Sequence, residues 1–408
     1  MKCPKRIRAE FEEQKRLFVT WPLEKELVCG FDCEQVTVRI IKEALSEVAV
    51  HIDVYDSEML DYVKNYLKNE HVHLEKLSFR VYPYAIMYPR DFGPEIVFEE
   101  GKPTWIDFDF NAYGLFRKNC FWNQDLIEYA GKTASLFAIE KGGSSRLITE
   151  GGNHEFNGQG TMISILETEK DKRNPLWTTE QIEREFKNHF GLQQIIWLEK
   201  GTFDDENPYM GKLTEIEGRN CYRCASANGH IDEFCRFVSA DTVVLAQVSE
   251  EQAQNSQLAR LNKERCDAAK KRLENIRLAN GKKLRIVALP MPEPFFIKVR
   301  ERDALFSYFT FDEARIQNHL FLDGSDFPKE DFYVLPAMSY CNFLMINQKV
   351  LVQTYAATTK MKVHERQDRE VINCLKQLFP DKEIVAIESL SLNLGGGGIH
   401  CHTRNLPC

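Results

Sequence analysis

Asn393-Leu394-Gly395-Gly396-Gly397-Gly398-Ile399-His400-Cys401 runs four successive glycines into a single cysteine near the end of a 408-residue sequence. Each glycine in an ordered element costs about 0.5–1 kcal/mol relative to alanine. A segment that keeps four together therefore points to close backbone approach or positive φ. A thiol at its end can have bare backbone on one side and a small ligand on the other, which suits a nucleophile. A flexible tail that happens to hold a cysteine would read the same way, and the segment alone does not separate the two.

Three stretches upstream add to it: Arg90-Asp91-Phe92-Gly93-Pro94; Glu150-Gly151-Gly152-Asn153, continuing to Asn157-Gly158-Gln159-Gly160-Thr161; and Gly229-His230-Ile231-Asp232-Glu233, running on to Cys235-Arg236-Phe237. In extended chain His230 and Asp232 point to the same side, so an imidazole and a carboxylate would line one wall. Carboxylates beside glycines sit where the backbone leaves room for a ligand. Taken singly, these motifs read as a salt-bridged turn, a loop and a structural histidine. Their joint presence with a glycine-supported cysteine reads as a site.

Other motif readings fail. The glycine run is not a phosphate loop, because no Gly-Lys-Ser/Thr follows. Cys221 and Cys224 have zinc-knuckle spacing with His230 and Cys235 downstream, but no second C-x-x-C or H-x-x-x-H completes a site. His400, Cys401 and His402 would alternate in direction if extended. Neither a papain-type signature nor a G-x-S-x-G elbow is present.

An apolar fraction of 43% with 28% charged residues is that of a globular chain. Strand patterns fall at 50–55, 161–167, 194–198, 242–248, 284–289, 343–355 (a hairpin turning at Asn347-Gln348-Lys349) and 383–387. Helical periodicity covers 36–48, 58–67, 178–190 and 364–379, and Thr178 with Gln181 has capping-box spacing. Alternating strands and helices without a composition break argue an α/β or α+β chain forming one domain over 1–408, and no internal repeat is visible. Residues 250–278 read as a solvated surface helix, and 296–331 as an insertion or lid. A net charge of −8 argues against nucleic acid and is compatible with a cationic small substrate. No run of roughly eighteen apolar residues predicts a membrane span, and the N-terminus has no apolar signal region. Twelve scattered cysteines fit a reducing cytosol.

Together these segments resemble the agmatine deiminase family within the guanidino-group-modifying enzymes. The resemblance extends to Trp21-Pro22, Asp107-Phe108-Asp109-Phe110-Asn111-Ala112-Tyr113-Gly114, Arg173-Asn174-Pro175, Ile196-Trp197-Leu198 and Ser339-Tyr340-Cys341-Asn342-Phe343. It implies a pentein-like, five-bladed α/β propeller of pseudo-fivefold symmetry with the site at its centre. The implied reaction is hydrolysis of a guanidinium group to a ureido group with release of ammonia, with agmatine the favoured substrate. By resemblance Cys401 is the nucleophile, and His230 protonates the departing ammonia and then activates water. Asp91 and Asp232 accept from the guanidinium, and Glu150 either orients His230 or contacts substrate. Arg90, Trp21 and Asn111 are carried over as substrate-binding residues. No organic cofactor and no metal are implied, and a homo-oligomer is compatible with the family.

The chain departs from the family pattern at Ile86 and Tyr88, where an Asp and a Trp are usual, and at Asn157-Gly158, where Asp-Gly is usual. Residues 204–228 and 296–331 read as insertions. These positions fall where the remainder of a substrate would lie. Peptidyl-arginine deimination, amidino transfer and a catalytically silent binding protein on the same fold are the alternatives.

Overall fold

The computed structural model describes residues 5–116, 121–310 and 320–408. One arrangement recurs: a strand, an antiparallel neighbour, a helix, and a third strand parallel to the second. Parallel neighbours cannot be joined by a tight turn and need a crossover, which the helix supplies. Among the described residues the arrangement occurs five times. Glu95–Glu99, Lys102–Asp109 and Glu140–Ile148 form one unit around helix Phe121–Leu136. Glu155–Phe156, Thr161–Ile165 and Gln194–Leu198 form the next around Thr179–Phe190. Cys235–Ser239, Thr242–Gln247 and Arg285–Pro290 follow, then Leu344–Ile346, Lys349–Thr354 and Glu383–Glu388 around Lys362–Leu378.

The fifth unit joins the two ends of the chain. Thr403–Pro407 pairs antiparallel with Gln14–Thr20, which pairs parallel with Ala49–Val54 across helix Cys33–Ala44. The sequence shows no repeat, yet the structure has one. What recurs is strand pairing and crossover, which many side chains satisfy equally well.

The strand patterns are met closely, 194–198 to the residue. The predicted capping box is formed: Thr178 accepts from the Gln181 backbone N–H, and the Gln181 side chain accepts from that of Thr178. The predicted surface helix is two, Glu250–Asn255 and Gln257–Glu274, broken at Ser256, which caps the second. Leu258, Cys266 and Leu273 on it are buried, so one of its faces belongs to the core.

A sixth sheet stands outside the repeat. Thr214–Ile216, Arg219–Arg223, Phe332–Leu335 and Ile297–Val299 are neighbours in it, in that order. The two stretches that depart from the family pattern therefore meet in one element, although 311–319 lie outside the described residues. The ten described cysteines are free thiols. Among the described residues no helix is long and apolar enough to cross a membrane.

Candidate active site

Each unit is preceded, a few residues before its first strand, by a short turn that supplies a buried polar side chain. Asp91 lies on the turn of helix Pro89–Phe92, ahead of Glu95. Glu150 precedes the turn Gly151–Asn153, ahead of Glu155. His230, Asp232 and Glu233 occupy the turn before Cys235, Asn342 precedes Leu344, and Cys401 precedes Thr403. One structural position, used five times, builds the site.

Asn342 sets Cys401 in place. Its Oδ1 accepts from the backbone N–H groups of His400 (3.0 Å) and Cys401 (3.2 Å). Its Nδ2 donates to Glu233 Oε1 at 3.0 Å and lies 3.1 Å from Cys401 Sγ. The thiol lies 3.5 Å from Asp232 Oδ2 and 3.6 Å from Glu233 Oε1. A Cβ on Gly397 would stand 2.8 Å from Cys401 Cβ and 3.1 Å from its sulfur, closer than the sulfur tolerates unmoved. Gly397→Ala is expected to displace the thiol and lower kcat at least tenfold, since misplacement by about 1 Å can cost about 10²-fold. Steady-state kinetics on that variant checks it.

His230 is buried between two carboxylates, Nδ1 3.5 Å from Asp91 Oδ1 and Nε2 3.4 Å from Glu150 Oε2. Gly152 makes room for this: a Cβ there would meet His230 Nδ1 at 2.5 Å and Asp91 Oδ1 at 2.7 Å. The Gly152 N–H donates to Asp91 Oδ1 at 2.9 Å, and the Tyr113 hydroxyl donates to Oδ2 at 2.7 Å. Arg173 donates from Nε to both Glu150 oxygens, at 2.7 and 2.9 Å. It comes from a π-helical turn, Glu167–Arg173, a local irregularity frequent at functional sites. Asp205 accepts from the backbone N–H groups of Ala227, Gly229 and His230 and so fixes the approach to the histidine.

The charges do not balance. Burial, with Asp232 and Glu150 nearby, outweighs His230 and Tyr113 and pushes Asp91 up to about 6. Burial pulls His230 down, but Asp91, Glu150 and Asp232 outweigh it and raise it to about 9. Glu150 is held at about 2, because Arg173 and His230 overcome its burial. Burial and the carboxylates Asp232, Glu233 and Asp91 drive the Cys401 thiol well above its usual value. Burial with Asp232 and Asp205 does the same to the Glu233 carboxyl. Among the described residues, Asp232 Oδ1 and His230 Nδ1 are buried without a hydrogen-bond partner. The arrangement can hold a cation and direct it at a sulfur.

Cys401 and Asp91 lie on the wall of a cavity of about 190 Å³. The profile of the Porphyromonas-type peptidyl-arginine deiminase family matches residues 6–407. The chain belongs to that family. An agmatine deiminase of Pseudomonas aeruginosa is 26% identical over 98% of this chain and 95% of its own length. One from Pseudomonas putida is 29% identical over 78% of this chain and 73% of its own. The solved agmatine deiminase of Enterococcus faecalis superposes with a TM-score of 0.73 at 22% identity, covering 99% of this chain and 96% of that one. The C. jejuni enzyme with substrate bound gives 0.67 at 21%, covering 99% and 96%. These two likenesses establish the shared α/β fold.

Within this deiminase-family chain the expected residues separate into two groups. Cys401, His230, Asp232, Asp91 and Glu150 come together as described. The extended geometry expected for His230 and Asp232 is not how they meet, because Ile231–Glu233 is a turn of 3-10 helix. Trp21, Arg90 and Asn111 do not line the cavity, and each is occupied elsewhere. Trp21 is buried and donates to Glu34 Oε1 at 2.9 Å. Arg90 donates to His400 O and Asn405 Oδ1 and pairs with Glu10. Asn111 caps the turn at Gly114. Glu233, Asn342, Tyr113 and Arg173 belong to the sequence motifs, but local spacing assigns them no role; the signal for Asn342 is its place before a strand, shared with the other site residues. Among the described residues Cys221 and Cys224 join no group of possible metal ligands. Among the described residues the one such trio is Asp232, Glu233 and Cys401, with donor atoms within 4.8 Å, and it is this site.

Proposed function

We propose that this chain hydrolyses the guanidinium group of a small guanidino compound through Cys401, with agmatine giving N-carbamoylputrescine and ammonia as the case to test. The observation that carries the reading is a thiol on a cavity wall beside Asp91, with Asp232 Oδ2 at 3.5 Å and Glu233 Oε1 at 3.6 Å from its sulfur. A guanidinium is planar and positively charged, and charge-assisted bonds to Asp91 and Asp232 would hold its carbon against the sulfur. The unpartnered Asp232 Oδ1 supports that role. Arrival of the cation favours loss of the Cys401 proton to solvent. Sulfur bonds to the guanidinium carbon, and the C–N bond breaks as His230 passes its proton to the departing nitrogen. Ammonia leaves and an amidino-thioether remains. Water then gives a proton to neutral His230 and attacks the same carbon, and the C–S bond breaks as the second water proton passes to solvent, yielding the ureido product and thiolate. Glu150, occupied by Arg173 and His230, orients the histidine.

A cavity of about 190 Å³ is below the roughly 300–1,000 Å³ usual for drug-sized ligands, which favours a small substrate. We read 1–408 as a single deiminase domain, its five units forming blades around the cavity and closing through the pairing of 14–20 with 403–407. The ten described free thiols fit a cytosolic setting. The test is ammonia and ureido product from purified protein given agmatine, free arginine or an arginine peptide. Release from none of them ends the proposal.

The pH dependence has a defined sign. Asp91 must be ionised to hold the cation, so kcat/KM is expected to rise with pH through about 6. His230 must be protonated to release ammonia, so kcat/KM is expected to fall above about 9. A profile flat between pH 5 and 7 would remove Asp91 from the cation.

A further inference from the structure

The cavity has two dissimilar halves. At its base are Cys401 and Asp91, backed by Asp232 and Glu233. The remaining wall is largely hydrocarbon and ring: Leu27, Ile86, Met87, Leu115, Leu305 and Tyr88 are representative. Two of the hydroxyls on this wall are committed elsewhere. The Tyr88 hydroxyl donates to Leu392 O at 2.8 Å and the Ser226 hydroxyl to Glu206 O at 2.7 Å. Among the described lining residues, the one charged group besides Asp91 is Glu24, which stands exposed at the rim. Much of the apolar wall comes from the two stretches that depart from the family pattern: Pro208, Tyr209 and Ala225 from one, Leu305 and Tyr308 from the other. Ile86 and Tyr88, two further departures, lie on the same wall, whereas Asn157 is buried away from it and donates to Ala240 O. All the departures but Asn157-Gly158 converge on a single surface, the one a substrate's tail would touch.

Resting on the deiminase reading above, we propose that this wall selects a guanidine whose tail is apolar and uncharged, an n-alkyl- or aralkylguanidine, over one whose tail carries a second charge. Methylenes that leave water for such a wall each favour binding by a factor of about four. A tail ammonium brought among the same side chains loses its hydration and finds no buried carboxylate besides Asp91 among the described lining residues. Glu24, in water, offers it a screened attraction of little strength. Agmatine's four methylenes are served by the wall and its ammonium is not.

The experiment compares kcat/KM for ethyl-, n-butyl- and n-hexylguanidine, agmatine and arginine with the wild-type chain. The expected result is a rise of at least tenfold from butyl to hexyl, with hexylguanidine exceeding agmatine at least tenfold. Agmatine equal to or better than butylguanidine would overturn the proposal while leaving the deiminase reading intact. Ammonia from none of the series would overturn both. A second arm uses Leu23→Asp, a change at an exposed position on the cavity rim. It should move the agmatine-to-hexylguanidine ratio several-fold toward agmatine, and an unchanged ratio would show that the tail does not pass that wall.

Discussion

Cys401→Ala is expected to abolish ammonia release, with kcat falling on the order of 10⁴-fold or more, as when a nucleophile is removed from a catalytic unit. Depth of burial does not single out this thiol. Burial also pushes Cys33, Cys221 and Cys266 up to about 12, and none of those three lines the cavity. Cys401 differs in what holds its proton. Besides burial, its thiol is raised by Asp232, Glu233 and Asp91, and a guanidinium cation seated among those acids cancels their effect. Substrate can therefore activate this thiol, whereas nothing that enters the cavity reaches the others.

The same geometry limits the effect on stability. The Cys401 side chain borders the cavity, so alanine enlarges an existing space instead of opening a sealed void, and the loss should stay within about 1 kcal/mol. Thermal unfolding should shift by about 2–4 °C or less. Binding of the guanidinium should persist, because Asp91 and Asp232 remain. Activity within tenfold of wild type would refute the nucleophile. A collapse in melting temperature would reassign Cys401 to the core.

The legible part of the site is the part written in residues that ordinary loops do not combine. Glycine runs beside Glu150 and before Cys401, and His230 two residues before Asp232, mark backbone that must come close to something polar. Each of these motifs sits immediately ahead of a strand, and that shared position is what gathers them. Arg173 pairs with Glu150, and Asn342 bonds to Glu233 and Cys401, across turns of different units. No local spacing encodes such contacts, so both residues could be quoted in a motif yet given no role. Arg90 and Trp21 show the converse. An arginine beside a functional aspartate and a tryptophan near a strand end resemble ligand contacts, but here they brace the backbone around His400 and the side chain of Glu34. The fivefold recurrence was hidden because it lies in strand pairing, and the fifth unit is built from both ends of the chain.

His230→Gln separates binding from chemistry. Glutamine has a similar reach and can hydrogen-bond to Asp91 or Glu150, but it does not titrate. With His230 at about 9, the wild-type side chain is an imidazolium at neutral pH, ready to protonate the leaving nitrogen, and as neutral imidazole it then accepts a proton from water. The variant loses both functions, and general acid–base catalysis contributes about 10²–10⁴-fold to such steps, so kcat should fall at least about 10³-fold. Affinity should move the other way. Removing a positive charge from between Asp91 and Glu150 leaves the acids less compensated, so the cationic substrate should bind as tightly as to wild type or tighter. A falling kcat with a KM that does not rise is the signature of a proton-transfer residue; a structural residue whose loss loosened the site would raise KM. If sulfur attack outruns water attack in the variant, intact-mass spectrometry should detect an amidino group on Cys401 after brief exposure to agmatine. Full activity in His230→Gln would remove the imidazole from the mechanism, and the proton for the departing ammonia would then have to come from Glu233, the neighbouring acid that keeps its own.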